Sequence, residues 1–154
     1  MDHLREIDFR FLAEPTDVNY GGKVHGGAVM KWIDQAGYAC ASQWSGHYCV
    51  TVSVGGIRFK RPIHVGQLVT LNAKIVHTGS TSMHIFISVK SGNATAQFIE
   101  EACTCIISFV AMSDDGKPTS VEQWVPQSEE DKLLEQFAIH AKEFSQKLQA
   151  EIEY

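Results

Sequence analysis

Residues 28–44 read AVMKWIDQAGYACASQW. Val29, Ile33, Ala36, Cys40 and Trp44 recur at the three- and four-residue spacing of a helix stripe, with Met30, Gly37 and Ala41 beside them. Only Lys31 and Asp34 carry charge in this segment. A helix with so little polar surface is expected to be buried on most sides, which suits a central helix wrapped by a sheet better than one lying on a surface.

The flanking sequence supplies that sheet. Upstream, residues 7–13 alternate Ile7, Phe9 and Phe11 with charged residues, the period-two pattern of a half-buried strand. A loop follows, rich in glycine at Gly21, Gly22, Gly26 and Gly27. Downstream, residues 48–59, 67–77, 82–91 and 97–112 are rich in Val, Ile, Phe and Thr and read as strands. The short stretches between them, residues 62–66, 78–81 and 91–93, carry turn chemistry and imply antiparallel neighbours, and a further turn at residues 114–118 closes the last strand. The fold class is therefore α+β, a curved antiparallel sheet around a central helix. Residues 128–152 form a further, charged helix, with Ser128 as N-cap and Glu129, Glu130 and Asp131 favourably placed near the helix dipole. The expected organisation is one domain over residues 1–127, extended by a C-terminal helix over 128–154 that packs on its own subunit or on a partner.

With 154 residues the chain holds one domain with a proper core. No run approaches the ~18 apolar residues of a membrane span, and the amino-terminal residues lack the regions of a signal peptide. The expectation is a cytoplasmic protein without a membrane partner. A net charge of −5 argues against nucleic acid, whose binding needs a basic surface. Cys40, Cys49, Cys103 and Cys105 lack paired spacing, which predicts reduced, packed thiols rather than disulfides or zinc. Neither a metal nor a cofactor is expected.

Asp34 is the most informative residue. Aspartate is a poor helix former, and a carboxylate in a mostly apolar helix is costly to bury unless paired or used. It bonds to a neighbouring subunit, points to solvent at the helix flank, or does chemistry. Gly26 and Gly27 precede the helix, where backbone N–H groups lack intrahelical partners and the dipole is positive. They form a tight turn or a place where a developing oxyanion is held. Asn19 orients a water or carbonyl, or serves as an Asx-turn residue.

Together these residues resemble a known family. Asp17-x-Asn19-x-x-Gly22-x-x-x-Gly26-Gly27, six residues and Asp34, then Phe59-x-Arg61-Pro62-x-x-Val65-Gly66, then Thr78-Gly79-Ser80-Thr81-Ser82, are similar in collinear order to the hotdog-fold acyl-CoA thioesterases, in particular the cytosolic acyl-CoA hydrolases. The match covers roughly residues 11–118 and departs at Gln67, where the family commonly has an acidic residue. The resemblance implies a hotdog fold and hydrolysis of acyl-CoA to a carboxylic acid and free CoA. It makes Asp34 the general base or nucleophile, the Gly26 amide the donor that polarises the thioester carbonyl, and Asn19 a positioning residue.

Helix geometry bears on assembly. Eight residues of helix rise about 12 Å, so Gly26 and Asp34 of one chain do not flank one carbonyl carbon. A two-fold dimer that sets Asp34 of one subunit against Asn19 and Gly26 of the other makes two equivalent sites. The resemblance suggests the same arrangement, with dimers further assembled as a trimer of dimers. His25 acts as a base, shapes the pocket or bonds the backbone beside Gly27. Arg58, Lys60 and Arg61 form a basic cluster at a strand end, while Ser80, Thr81 and Ser82 offer hydroxyls and amides. Both groups suit phosphates; the alternative is a solvated strand end. The resemblance raises Lys60, Arg61, Thr81 and Ser82 to CoA contacts. The rival function is a hotdog domain that binds acyl-CoA as a sensor or scaffold without turnover; a hydratase or dehydratase reading lacks the histidine–acid spacing it needs.

Overall fold

In the computed structural model, which describes residues 4–96 and 99–153, α1 (Gly26–Ser45) lies in the hollow of a five-stranded sheet and touches every strand. The strands are β1 (Glu6–Leu12), β2 (Tyr48–Phe59), β3 (Gln67–Thr78), β4 (Ser82–Asn93) and β5 (Glu100–Met112), in the order β1-β3-β4-β5-β2. Every pairing is antiparallel. The strand alternation builds the core. Val69, Leu71, Ala73 and Ile75 of β3, Met83, Ile85, Ile87 and Val89 of β4, and Cys103, Cys105, Ile107, Phe109 and Ala111 of β5 point at the helix and bury against Ile33, Ala36 and Cys40. Full burial of one Ile or Phe side chain stabilises by about 1.5–3 kcal/mol. Gly37 is part of that packing, since a Cβ there would lie 2.8 Å from the Phe109 ring.

Two expectations are corrected. The helix begins at Gly26, not at Ala28, because His25 is its N-cap. It also leaves one side open: Gly27, Lys31, Asp34, Gln35 and Tyr38 form an exposed stripe at helical spacing, on the arc that the five strands do not close. The last strand starts at Glu100, and the expected start at Gln97 lies outside the described residues.

α2 (Glu129–Ile152) packs on the opposite face of the sheet, where Ala138, Leu134 and Ala141 meet Val76, Ile106 and Phe86. Ser128 caps it, accepting from the Asp131 amide at 3.1 Å. The Asp131 carboxylate accepts from the Gln127 amide at 3.0 Å and pairs with Arg5 at 2.9 Å. Burial pulls its pKa upward, but the Gln127 amide and the Arg5 guanidinium outweigh this and leave it below the usual carboxylate value. Deeper under the helix, His84 is buried, with Nδ1 2.7 Å from Ser108 Oγ. Desolvation, with the nearby charges of His77 and Lys142, lowers its pKa to about 4. All four thiols are buried, and desolvation raises each pKa, those of Cys40 and Cys105 to about 12.

Candidate active site

The entry to α1 is built by its own capping. His25 Nδ1 accepts from the Ala28 amide at 3.0 Å, and the His25 carbonyl receives the Ala28 and Val29 amides at 3.0 and 3.4 Å. Gly26 and Gly27 occupy the first positions of the helix, where N–H groups have no intrahelical partner and the dipole is positive. Asn19 stands in the preceding loop. Its Oδ1 accepts from the amides of Gly21 at 2.9 Å and Lys23 at 3.2 Å, so the Asx-turn role is realised and holds the loop.

A cleft of about 410 Å³ opens beside this helix end. Asn19, Gly26, Lys60 and Arg61 line it together with Phe59 and Pro62, while Val29, Ile63 and Cys103 form its apolar part. Lys60 pairs with Glu101 and Arg61 with Glu100 at its rim. A polyanion entering here meets two cations and the Gly26 end of the helix, the chemistry of a phosphate-bearing ligand, while His25 and Gly27 do not line the cleft.

The other expected site residues lie elsewhere in the chain. Asp34, two helical turns from Gly26, does not line the cleft. The burial expected of it is not found: it is exposed on the open stripe of α1, where Thr51 Oγ1 donates to its Oδ1 at 2.6 Å. Arg58 also stays outside the cleft. Ser80, Thr81 and Ser82 form the β3–β4 turn, the opposite end of β3 from Arg61, separated by a strand length of about 36 Å. Within one chain they do not join the basic pair. Ser82 instead faces His84, 3.4 Å from Nε2. Among the described residues no three His, Cys, Asp or Glu side chains are grouped to hold a metal ion, and no helix is long and apolar enough to cross a membrane.

Thr51, through its bond to Asp34, is a candidate residue that motif reading missed. The signal was present. From the Gly46 cap, Asp34 lies twelve helical residues back, about 18 Å, and Thr51 five strand residues forward, about 16.5 Å, so the two stand at one height.

Residues 21–95 match the model of the thioesterase superfamily. The acyl-CoA thioester hydrolase YciA of Salmonella typhimurium is 35% identical over 116 residues, covering 73% of this chain and 87% of that one. Among solved structures, an apo-hexameric acyl-CoA thioesterase superposes with a TM-score of 0.88 at 32% identity, over 94% of this chain and 93% of that one. A hexameric hotdog fold thioesterase of Campylobacter jejuni superposes at 0.69 with 27% identity, over 84% and 95%. With the helix-in-sheet architecture and the motif order described above, these likenesses show that the chain belongs to the thioesterase superfamily, as a hotdog-fold acyl-CoA thioester hydrolase.

Proposed function

We propose that the protein hydrolyses acyl-CoA at sites shared by two protomers, with Asp34 of one facing Asn19 and Gly26 of the other. The observation that carries this reading is the division of labour in one chain: the cleft holds the cations, Asn19 and Gly26 without the carboxylate, and the carboxylate stands exposed outside it. Hexameric relatives support an assembly that joins them.

CoA phosphates bind Lys60 and Arg61, with the partner's copy of the Ser80–Ser82 turn as a further contact, and the thioester carbonyl accepts from the Gly26 amide. Thr51 holds Asp34 Oδ1, leaving Oδ2 to take a proton from water. The water oxygen attacks the carbonyl carbon, and the oxyanion is held by the Gly26 amide, a donor of the kind that lowers a barrier by about 3 kcal/mol. Collapse breaks the carbon–sulfur bond. The proton on Asp34 passes to the departing thiolate, giving acid and CoA. The mobile parts are all supplied by the chain and water, so no cofactor enters.

The test is release of free thiol from acyl-CoAs of increasing chain length. Asp34→Ala is expected to abolish turnover while keeping the wild-type mass. Co-expressed Asp34→Ala and Asn19→Ala chains regain about a quarter of the sites, because half the mixed dimers' sites are intact. Mixed dimers without recovered turnover would show that each site belongs to one chain.

A further inference from the structure

Along the exposed stripe of α1, Asp34 has different neighbours toward the two ends of the helix. Gly27 and Lys31 lie on the amino-terminal side, one without a side chain and the other charged. On the carboxy-terminal side stands Tyr38, four residues on and therefore on the same face, about 6 Å further along the axis. Of the three aromatic residues of α1, Trp32 and Trp44 are buried, whereas Tyr38 is 38% exposed, with part of its ring open beside the carboxylate. The rest of the ring is seated on other aromatics. Its centroid lies 6.4 Å from that of Phe109, edge to face, and 6.0 Å from that of Tyr48. Phe109 is fully buried and packed against Gly37, and Tyr48 opens β2, the strand whose Thr51 bonds Asp34. Aromatic pairs at these separations hold one another in place. The carboxylate is thus flanked by a fixed apolar wall on one side and by a charged side chain on the other.

We propose that Tyr38 ends the acyl pocket and restricts the enzyme to short acyl chains. The inference rests on the shared-site reading, in which the thioester carbonyl carbon sits beside Asp34, and names the substrate class of that site. From this carbon the apolar tail runs away from the charge of Lys31 and toward the aromatic side, where burial stabilises it. There it meets the Tyr38 ring after about 6 Å, a length of roughly four chain carbons. Up to that length each added methylene gains apolar contact with Tyr38 and Tyr48. A longer chain either displaces a ring packed on Phe109 or turns back into water, and both outcomes weaken binding of the transition state. Tyr38 is therefore a specificity-determining residue: it takes no part in the chemistry at Asp34 and sets which acyl groups reach it.

The test compares kcat/KM for butyryl-CoA and decanoyl-CoA, by thiol release from the full chain. The wild type is expected to favour butyryl-CoA by about tenfold or more. Tyr38→Ala opens the wall and shifts that ratio about tenfold toward decanoyl-CoA, while Tyr38→Trp, with a larger ring at the same place, shifts it the other way. The ratio is taken within each variant, so a general loss of active enzyme cancels and only a changed pocket moves it. Tyr38→Leu, which keeps an apolar contact to Phe109, reads the same direction where Tyr38→Ala does not fold. A wild type that prefers decanoyl-CoA, or a ratio that stays constant across the variants, overturns the wall and leaves the shared site standing. A wild type that turns over neither substrate overturns the hydrolase reading and the wall with it.

Discussion

Thr51 Oγ1 on β2 lies 2.6 Å from Asp34 Oδ1 on α1 and donates to that carboxylate oxygen. If that bond orients the base, Thr51→Val lowers kcat about tenfold with KM little changed, and Thr51→Ser restores most of it. Thiol-release kinetics on variants of matched mass check the split; a KM effect alone would place Thr51 in substrate binding instead.

Two glycines of α1 are expected to behave oppositely. A Cβ at Gly26 meets only the Phe59 ring, at an ordinary 3.7 Å, so Gly26→Ala leaves stability within about 0.5 kcal/mol. Its methyl group crowds the amide proposed to hold the thioester carbonyl, and turnover is expected to fall. Gly37→Ala drives a methyl into Phe109 and costs about 1–3 kcal/mol, read as a lower denaturant midpoint.

Lys60 and Arg61 reach the cleft from half-exposed ion pairs. Arg61→Ala is expected to raise KM for acyl-CoA about tenfold with kcat retained, and Arg61→Lys to recover only part, since a point charge cannot replace a two-pronged contact to phosphate. KM of the wild type rises with salt, and more steeply than that of Arg61→Ala.

His84 gives the fold an acid sensitivity. Its pKa is lowered to about 4 in the folded chain, against 6.5 when free, so the unfolded chain binds the extra proton between those values. The stabilisation is complete above pH 6.5 and is lost as pH falls toward 4, by up to about 3 kcal/mol. Denaturant titrations from pH 7 to 4 on wild type and His84→Gln check it: the variant's stability falls less steeply.

Much of the fold is legible in the sequence because local periodicity carries it. The limits of β2 at Tyr48 and Phe59 follow from composition and turn residues, and β1 is displaced by one residue. What periodicity misses is how far a sheet reaches around a helix. Asp34 sits one residue from fully buried Ile33, yet it is exposed, at the margin where the edge strand β2 reaches it through Thr51. The start of α1 was hidden for a different reason: two glycines read as loop become helix once His25 folds back on the Ala28 amide. The contact between Thr51 and Asp34 depends on two rises compared across a turn, which no window along the chain contains.

Four buried thiols, each with its pKa raised by desolvation and those of Cys40 and Cys105 to about 12, have a practical consequence. A disulfide reagent that reports liberated CoA meets almost no thiolate on the native protein, so the enzyme contributes no background colour to its own assay. Four equivalents released in denaturant then count opened molecules, and one cuvette reads both catalysis and unfolding.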